Sequence, residues 1–288
     1  MSPASSSAIT PDFLIRGADY LAEHPHFKLI GRQPELNASM DALLRKSTGN
    51  NLVLYGPGGV GLSSIVMGLQ AAKDDPATPF DIVSKNFYYL DVDALFSLSD
   101  PAAINEGFRK AMDTLQKSSD SVLVIEDTKG FLDGVQNNNV SNMVNALMRD
   151  VKPNQQQFQT IFVAADADLP ALLKSHSDIA KNFTMQDVGE PPKDELREII
   201  ESAVKDMEEQ YGIAVSKEAV DSVTELTAKY PGLTLGVAQP KRSILLLEGA
   251  MTAYCRTAHT QPPELEALEQ TLTLANAALD SGSPRKEN

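Results

Sequence analysis

The chain has 288 residues, 42% of them apolar, with ten Phe and seven Tyr, enough for a substantial core in one large domain or two modest ones. Its formal charge of −14 argues against nucleic acid or an anionic membrane surface as a main partner, because both require clustered Lys and Arg. A single cysteine, Cys255, permits no internal disulfide, and no apolar run reaches the roughly 18 to 20 residues that span a bilayer, so a cytoplasmic protein without membrane insertion is expected.

The first ten residues, MSPASSSAIT, lack both a charged and an apolar leader segment. Ser2 to Thr10 and Ser281 to Asn288 are small and polar and are expected to be disordered. Phe13, Ile15, Tyr20 and Leu21 fit a short amphipathic helix over Pro11 to Glu23, and His24-Pro25-His26 reads as a turn rather than a metal pair. A helix over Pro34 to Lys46 follows, with Leu36, Met40, Leu43 and Leu44 on one face.

Next, the apolar run Asn51 to Tyr55 leads into Gly56-Pro57-Gly58-Gly59-Val60-Gly61-Leu62-Ser63-Ser64 and a helix over Leu62 to Lys73. The glycine spacing is that of the P-loop, in which backbone N–H groups at a helix N-terminus cradle phosphates, a lysine reaches their oxygens and a hydroxyl holds Mg²⁺. Leu62 stands at the lysine position. A strand is expected at Phe87 to Val92, with Asp91 and Asp93 at its end, then a helix from Ala102 to Lys117. Ser121 to Ile125 is a continuous apolar strand finishing in Glu126-Asp127, where acidic groups face the ligand crevice of an open α/β sheet. A helix from Val140 to Val151, a polar linker from Lys152 to Gln159 and a strand from Thr160 to Ala165 complete the alternation, which implies a doubly wound parallel sheet. Beyond Gly189-Glu190-Pro191-Pro192 only helices are expected, at Lys193 to Gln210, Ser216 to Tyr230, Lys241 to Thr257 and Pro263 to Asp280. The last carries a leucine stripe that covers the helical core or docks on a partner.

The order of these pieces resembles the AAA+ ATPase module, and within it the first nucleotide-binding domain of Clp-type unfoldases and disaggregases. The likeness covers roughly Phe27 to Ala258. It rests on Leu29-Ile30-Gly31-Arg32, Asn50 to Leu54, Gly56 to Gly61, the acidic strand Ser121 to Asp127, and Pro240-Lys241-Arg242-Ser243-Ile244 opening a lid helix. It implies an N-terminal extension over 1–26, an α/β P-loop domain over 27–190, a small all-helical lid over 191–280 and a tail over 281–288. The nucleotide-binding residues it implies are Ile30, Gly31, Gly58, Gly59, Val60, Gly61, Leu62, Ser63, Ser64, Glu126, Asp127 and Arg242, with ADP or ATP as the cofactor. No catalytic residue and no metal ligand is nominated.

The working positions of the family depart from its pattern. Loss of the P-loop lysine removes a charge-assisted hydrogen bond of about 1.5 to 3 kcal/mol, roughly 10- to 100-fold in triphosphate affinity. The acidic pair is reversed as Glu126-Asp127, and displacement of a water-orienting carboxylate by about 1 Å can cost on the order of 100-fold in rate. Asp166-Ala167 replaces the polar sensor, and Asp178 to Phe183 carries Lys181 but no arginine finger. Between Leu95 and Ile104 there is no Tyr-Gly pair to grip a threaded substrate, and Phe96 reads as core.

The expectation is therefore a catalytically inactive AAA+-like scaffold or adaptor subunit of a larger protein complex, such as a chaperone or secretion machine. Its partners would be proteins, in a hetero-oligomer rather than an active homohexameric ring. Two alternatives stand beside it. One is a switch that binds ADP or ATP without efficient hydrolysis; the other is a weak ATPase using a non-standard lysine, for which Lys129 is the nearest candidate.

Overall fold

The apolar runs become strands because each can be covered on both faces. They are β1 (Leu14–Arg16), β2 (Asn51–Gly56), β3 (Asn86–Leu90), β4 (Ser121–Ile125), β5 (Gln159–Ala165) and β6 (Phe183–Asp187). The computed structural model describes residues 11–144, 147, 158–258 and 271–274, apart from residues 26, 47, 99, 119, 176, 178 and 235. The six strands form one sheet in the order β1-β3-β4-β5-β2-β6, parallel throughout except for β1, which runs antiparallel to β3. This is the expected parallel α/β sheet, to which β1 adds an antiparallel edge that the sequence reading did not anticipate.

Strand alternation sorts the side chains into two cores. Leu52, Leu54, Val122, Val124, Ile161 and Val163 belong to one, with Ile65 and Leu69 of the helix after the glycine loop. Val53, Leu123, Ile125 and Phe162 belong to the other, with Ile104, Phe108 and Leu115 of helix Pro101–Lys117. Burial of β4 is complete along its length, as its unbroken apolar sequence predicts.

Several boundaries move. The stretch expected as one helix from Pro11 to Glu23 is instead β1 followed by helix Gly17–Ala22, because Leu14, Ile15 and Arg16 can complete the ladder on the open edge of β3. The expected strand from Phe87 to Val92 ends at Leu90, since Asp91 caps helix Val92–Phe96 by accepting from Ala94 N–H. Gln159 lies in β5 rather than in a linker. Helix Leu62–Ala71 stops short of Lys73, which falls in a tighter turn. β6 has no strong sequence signal. Its Gln186 is buried only because it is hydrogen-bonded to Ser39 and to the Glu35 carbonyl.

The expected helix over Val140 to Val151 falls only partly among described residues, of which 142–144 and 147 are helical. The termini expected to be disordered lie outside the described residues, as does the helix expected over Pro263 to Asp280 except for residues 271–274.

After β6 come helices Lys193–Tyr211, Lys217–Lys229 and Lys241–Ala258. Leu196, Ile200, Val204 and Met207 recur at helical spacing and meet Val220, Val223, Leu247 and Met251 in a separate third core. Among the described residues no helix is long and apolar enough to cross a membrane.

Candidate functional site

The glycine loop joins β2 to helix Leu62–Ala71 in the geometry its spacing predicts. Gly59 and Gly61 take φ of 93° and 98°, left-handed values that side chains rarely adopt, and Gly61 sits at the helix N-cap. A Cβ at Gly56 would lie 2.3 Å from the Val188 carbonyl, so the chain leaving β6 passes directly over the loop entrance. Leu62 is only 9% exposed and joins the core cluster of Val60, Ile65 and Val188, while Ser63 faces solvent.

Beside the loop lies a cleft of about 660 Å³, a size suited to a small-molecule ligand. Ile30, Val60, Gly61, Ser64, Ala203 and Pro240 line it, with Asp206 and Glu209 of the first lid helix also at its wall. Arg32 lines it as well, and Gly31 lines a neighbouring cleft of about 450 Å³. Gly31 has φ 63°, and a Cβ there would meet Glu195 Oε2 at 2.7 Å. Arg32, 4% exposed, donates to Glu35 Oε1 at 3.0 Å, the Gly189 carbonyl at 2.9 Å and the Val60 carbonyl at 2.8 Å. One guanidinium thus ties the segment before helix Gln33–Leu44, the exit from β6 and the glycine loop together.

The lid rests on the same loop. Ala238 N–H donates to the Gly58 carbonyl at 2.9 Å and Lys241 N–H to the Gly59 carbonyl at 3.3 Å. A Cβ on Gly59 would meet Val237 Cγ1 at 2.6 Å and Lys241 Cβ at 2.9 Å, so only glycine lets the two approach this closely.

Ile30, Val60, Gly61 and Ser64 therefore meet in one cleft, with Gly31 next to Ile30 in the chain, Gly58 and Gly59 in the loop that borders it, and Leu62 and Ser63 at the start of the loop helix. Three other nominated residues lie elsewhere. Arg242 donates to the Val237 carbonyl at 2.7 Å and to Glu190 Oε1 at 2.9 Å, and lines a different cleft of about 590 Å³. Asp127 accepts from Gly130 N–H at 2.8 Å and caps helix Thr128–Asn137. Glu126 Oε2 accepts from the Tyr20 hydroxyl at 2.8 Å, and Tyr20 stacks on Tyr89 with ring centroids 4.0 Å apart. Both carboxylates line a third, smaller cleft of about 240 Å³, together with Asp91 and Asp93.

Burial first, then the Glu126 hydrogen bond and charge, raises the Tyr20 phenol above its ordinary range; burial, then Glu126, does the same to Tyr89. Glu126 Oε1 and the Tyr89 hydroxyl are buried without a hydrogen-bond partner. Among the described residues no group of three or more His, Cys, Asp or Glu converges to hold a metal ion.

Lys129 pairs with Asp133 on an exposed helix face, and the Asp133 hydrogen bond raises its pKa. Asp166 is exposed and binds the Gly56 carbonyl only through its N–H. In the finger region, Asp178 lies outside the described residues and Phe183 packs on Phe162 at 5.5 Å. Phe96 packs where a Gly134 side chain would sit, as a core residue. Sequence reasoning missed Tyr20, Ala203 and the Lys241 contact. Ile199 and Ala203 carried a faint signal as an i, i+4 pair on the first lid helix.

An adenine nucleotide, which the fold implies, suits this arrangement on the base side, where apolar side chains from the loop, the lid and the Ile30 segment enclose a cleft of the right size. On the phosphate side the left-handed glycines and helix N-terminus are present.

No family model matches the chain. It is similar to the chaperone protein ClpB of Helicobacter hepaticus, 22% identical over 243 residues, which is 84% of this chain and 28% of that protein. It is also similar to heat shock protein 104 of Schizosaccharomyces pombe, 24% identical over 245 residues, 85% of this chain and 27% of that one. The chain thus spans little more than a quarter of these relatives. The solved structure of the S. cerevisiae Hsp104-ADP complex superposes with a TM-score of 0.79 at 17% identity, covering 96% of this chain and 38% of that chain. What these similarities and the sheet topology show is the fold of the Clp-type AAA+ domain.

Proposed function

We propose that the chain is a Clp-like module that holds ADP or ATP without hydrolysing it efficiently and works as a scaffold or adaptor subunit in a larger protein assembly. The observation that carries this reading is a separation: the base-side cleft at Ile30, Val60 and Pro240 is open, whereas Glu126 and Asp127 are already bound to Tyr20 and Gly130. Ile30, Gly31, Gly58 to Gly61, Ser63 and Ser64 hold the nucleotide, and Leu62 keeps a methyl-bearing side chain where hydrolysis calls for a cation. The similar Hsp104 structure is a complex with ADP, which supports the ligand class.

The assembly pairs this chain with other proteins in a hetero-oligomer, since the region before Phe183 offers Lys181 in place of an arginine fork. Calorimetric titration with ADP and ATP, run beside a phosphate-release assay on the same protein, tests the reading. Binding without turnover is the expected result. Turnover that disappears on Asp127→Asn overturns it.

A second reading, a pure scaffold in which the loop is only a tight strand-to-helix turn, draws on the burial of Leu62 in the core. Absence of any thermal stabilisation by millimolar nucleotide would favour it, because a ligand of the folded state raises stability by mass action.

A further inference from the structure

We infer that the small cleft at the carboxyl ends of β3 and β4 binds an aliphatic diammonium ion, a short diamine in its charged form. The cleft is separate from the nucleotide cleft, since among the described residues none of the glycine loop lines it. At about 240 Å³ it suits a ligand smaller than a nucleotide. β3 and β4 are parallel neighbours with Tyr89 opposite Val124, so their ends bring residues 91–93 and 126–127 side by side.

The charge of this cleft is one-sided. Asp91, Asp93, Glu126 and Asp127 line it, and among the described residues no Lys, Arg or His does. Asp91 and Asp127 are engaged as helix caps, accepting from Ala94 N–H and Gly130 N–H. Glu126 and Asp93 are less well matched. The Glu126 carboxylate accepts from the neutral Tyr20 hydroxyl, and its Oε1 is buried without a hydrogen-bond partner. Asp93 is exposed, and its carboxylate has no hydrogen-bond or ion-pair partner among the described residues.

An independent observation comes from Tyr89 in the same wall. Tyr89 is 3% exposed, and its hydroxyl is buried without a hydrogen-bond partner. After burial, the Glu126 charge is the next cause that raises the Tyr89 pKa, so the phenol lies within electrostatic reach of that carboxylate. An unpaired hydroxyl and an unpaired carboxylate oxygen are both costly to bury. One ammonium group answers both: it donates to Glu126 Oε1 and to the Tyr89 oxygen, and it supplies the opposite charge. A second ammonium at the other end of a short alkyl chain meets Asp93. Ile15, Leu90 and Val92 give the wall apolar surface for that chain, and the stacked rings of Tyr20 and Tyr89 add aromatic surface that attracts a cation. A metal ion is the poorer occupant. It needs several oxygens in one coordination shell, and among the described residues no three His, Cys, Asp or Glu converge.

The test is calorimetric titration of the full chain with 1,4-diaminobutane near neutral pH and at physiological salt, with 1-aminobutane and MgCl₂ as comparison ligands. Wild type is set beside E126Q, D93N, Y89F and D113N, each checked for native melting; Asp113 is paired with Arg109 on an exposed helix face and serves as the control acid. The expected result is saturable one-to-one binding of the diamine, weakened about 10- to 100-fold in E126Q and about tenfold in D93N and Y89F, with D113N matching wild type. 1-Aminobutane should bind about tenfold more weakly than the diamine, and Mg²⁺ should not displace it. Absence of saturable binding in wild type overturns the inference. So does an affinity within about twofold of wild type in both E126Q and D93N, which reduces the effect to attraction by an acidic surface. One-for-one displacement by Mg²⁺ makes the cleft a metal site, and 1-aminobutane binding as tightly as the diamine removes the second contact; either result overturns the diammonium assignment. D93N, whose side chain has no partner to lose, keeps the test decisive if E126Q or Y89F does not fold.

Discussion

The hydroxyl of Tyr20 donates to Glu126 Oε2 at 2.8 Å, across a separation of 106 residues. A side chain from the segment before the glycine loop thereby covers the carboxyl end of β4, where the acidic pair stands. The stacking of Tyr20 on Tyr89 fixes the ring, with an interplanar angle of 9°.

Removing that hydroxyl should be felt in stability and in its pH dependence. Tyr20→Phe keeps the stack but leaves both Glu126 oxygens unpaired, an expected loss of about 1 to 3 kcal/mol in urea denaturation at pH 7. Because the folded state raises the Tyr20 pKa, the associated stability is fully present below the free tyrosine value near 10 and is lost as pH climbs through the folded value. The difference between wild type and Tyr20→Phe should therefore narrow above about pH 10. Lys85, whose pKa burial lowers, pushes the other way but is common to both proteins and drops out of the difference. A constant difference from pH 7 to 11 would contradict the assignment.

Arg32 is a structural tie at the wall of the cleft. Arg32→Lys keeps one charge but cannot span the Glu35 carboxylate and the Gly189 and Val60 carbonyls together. The expected loss is about 3 kcal/mol, measured by chemical denaturation, with weaker nucleotide binding as the cleft wall loosens. A variant as stable as wild type would show that these bonds contribute little.

Asp127 has a cap to provide whatever else it does. Asp127→Ala should cost about 1 kcal/mol of stability, whereas Asp127→Asn, an equally good N-cap, should lie within a few tenths of wild type. Equal losses in the two variants would point to the charge rather than the cap.

The loop glycines should divide sharply. At Gly58 an added methyl meets nothing within 4 Å, so Gly58→Ala is expected to be nearly neutral. At Gly59 the same change meets Val237 and Lys241 and is strained at φ 93°. Gly59→Ala should therefore cost about 1 to 3 kcal/mol and release the lid from the loop, seen as faster amide exchange at Ala238 and Lys241. Similar behaviour in the two variants would mean that the lid does not rest on Gly59.

Much of this protein was legible in one dimension. Continuous apolar runs bounded by turns specify buried parallel strands, helical spacing from Leu196 to Met207 specifies a lid face, and the interval from Gly56 to Ser63 specifies a tight glycine loop from strand to helix. Each is a property of a single element, set by the period of its own backbone. Other features depend on where two separately folded elements come to rest: Tyr20 on Glu126, Arg242 turned to Glu190, Lys241 seated on Gly59, and β6 paired along β2 with the buried amide of Gln186 satisfied by Ser39. Local periodicity reports which face of an element is apolar, but not which polar group of a distant element that face will meet. Packing alone brought the Tyr20 phenol to the acidic pair and left the cleft at Ile30 open.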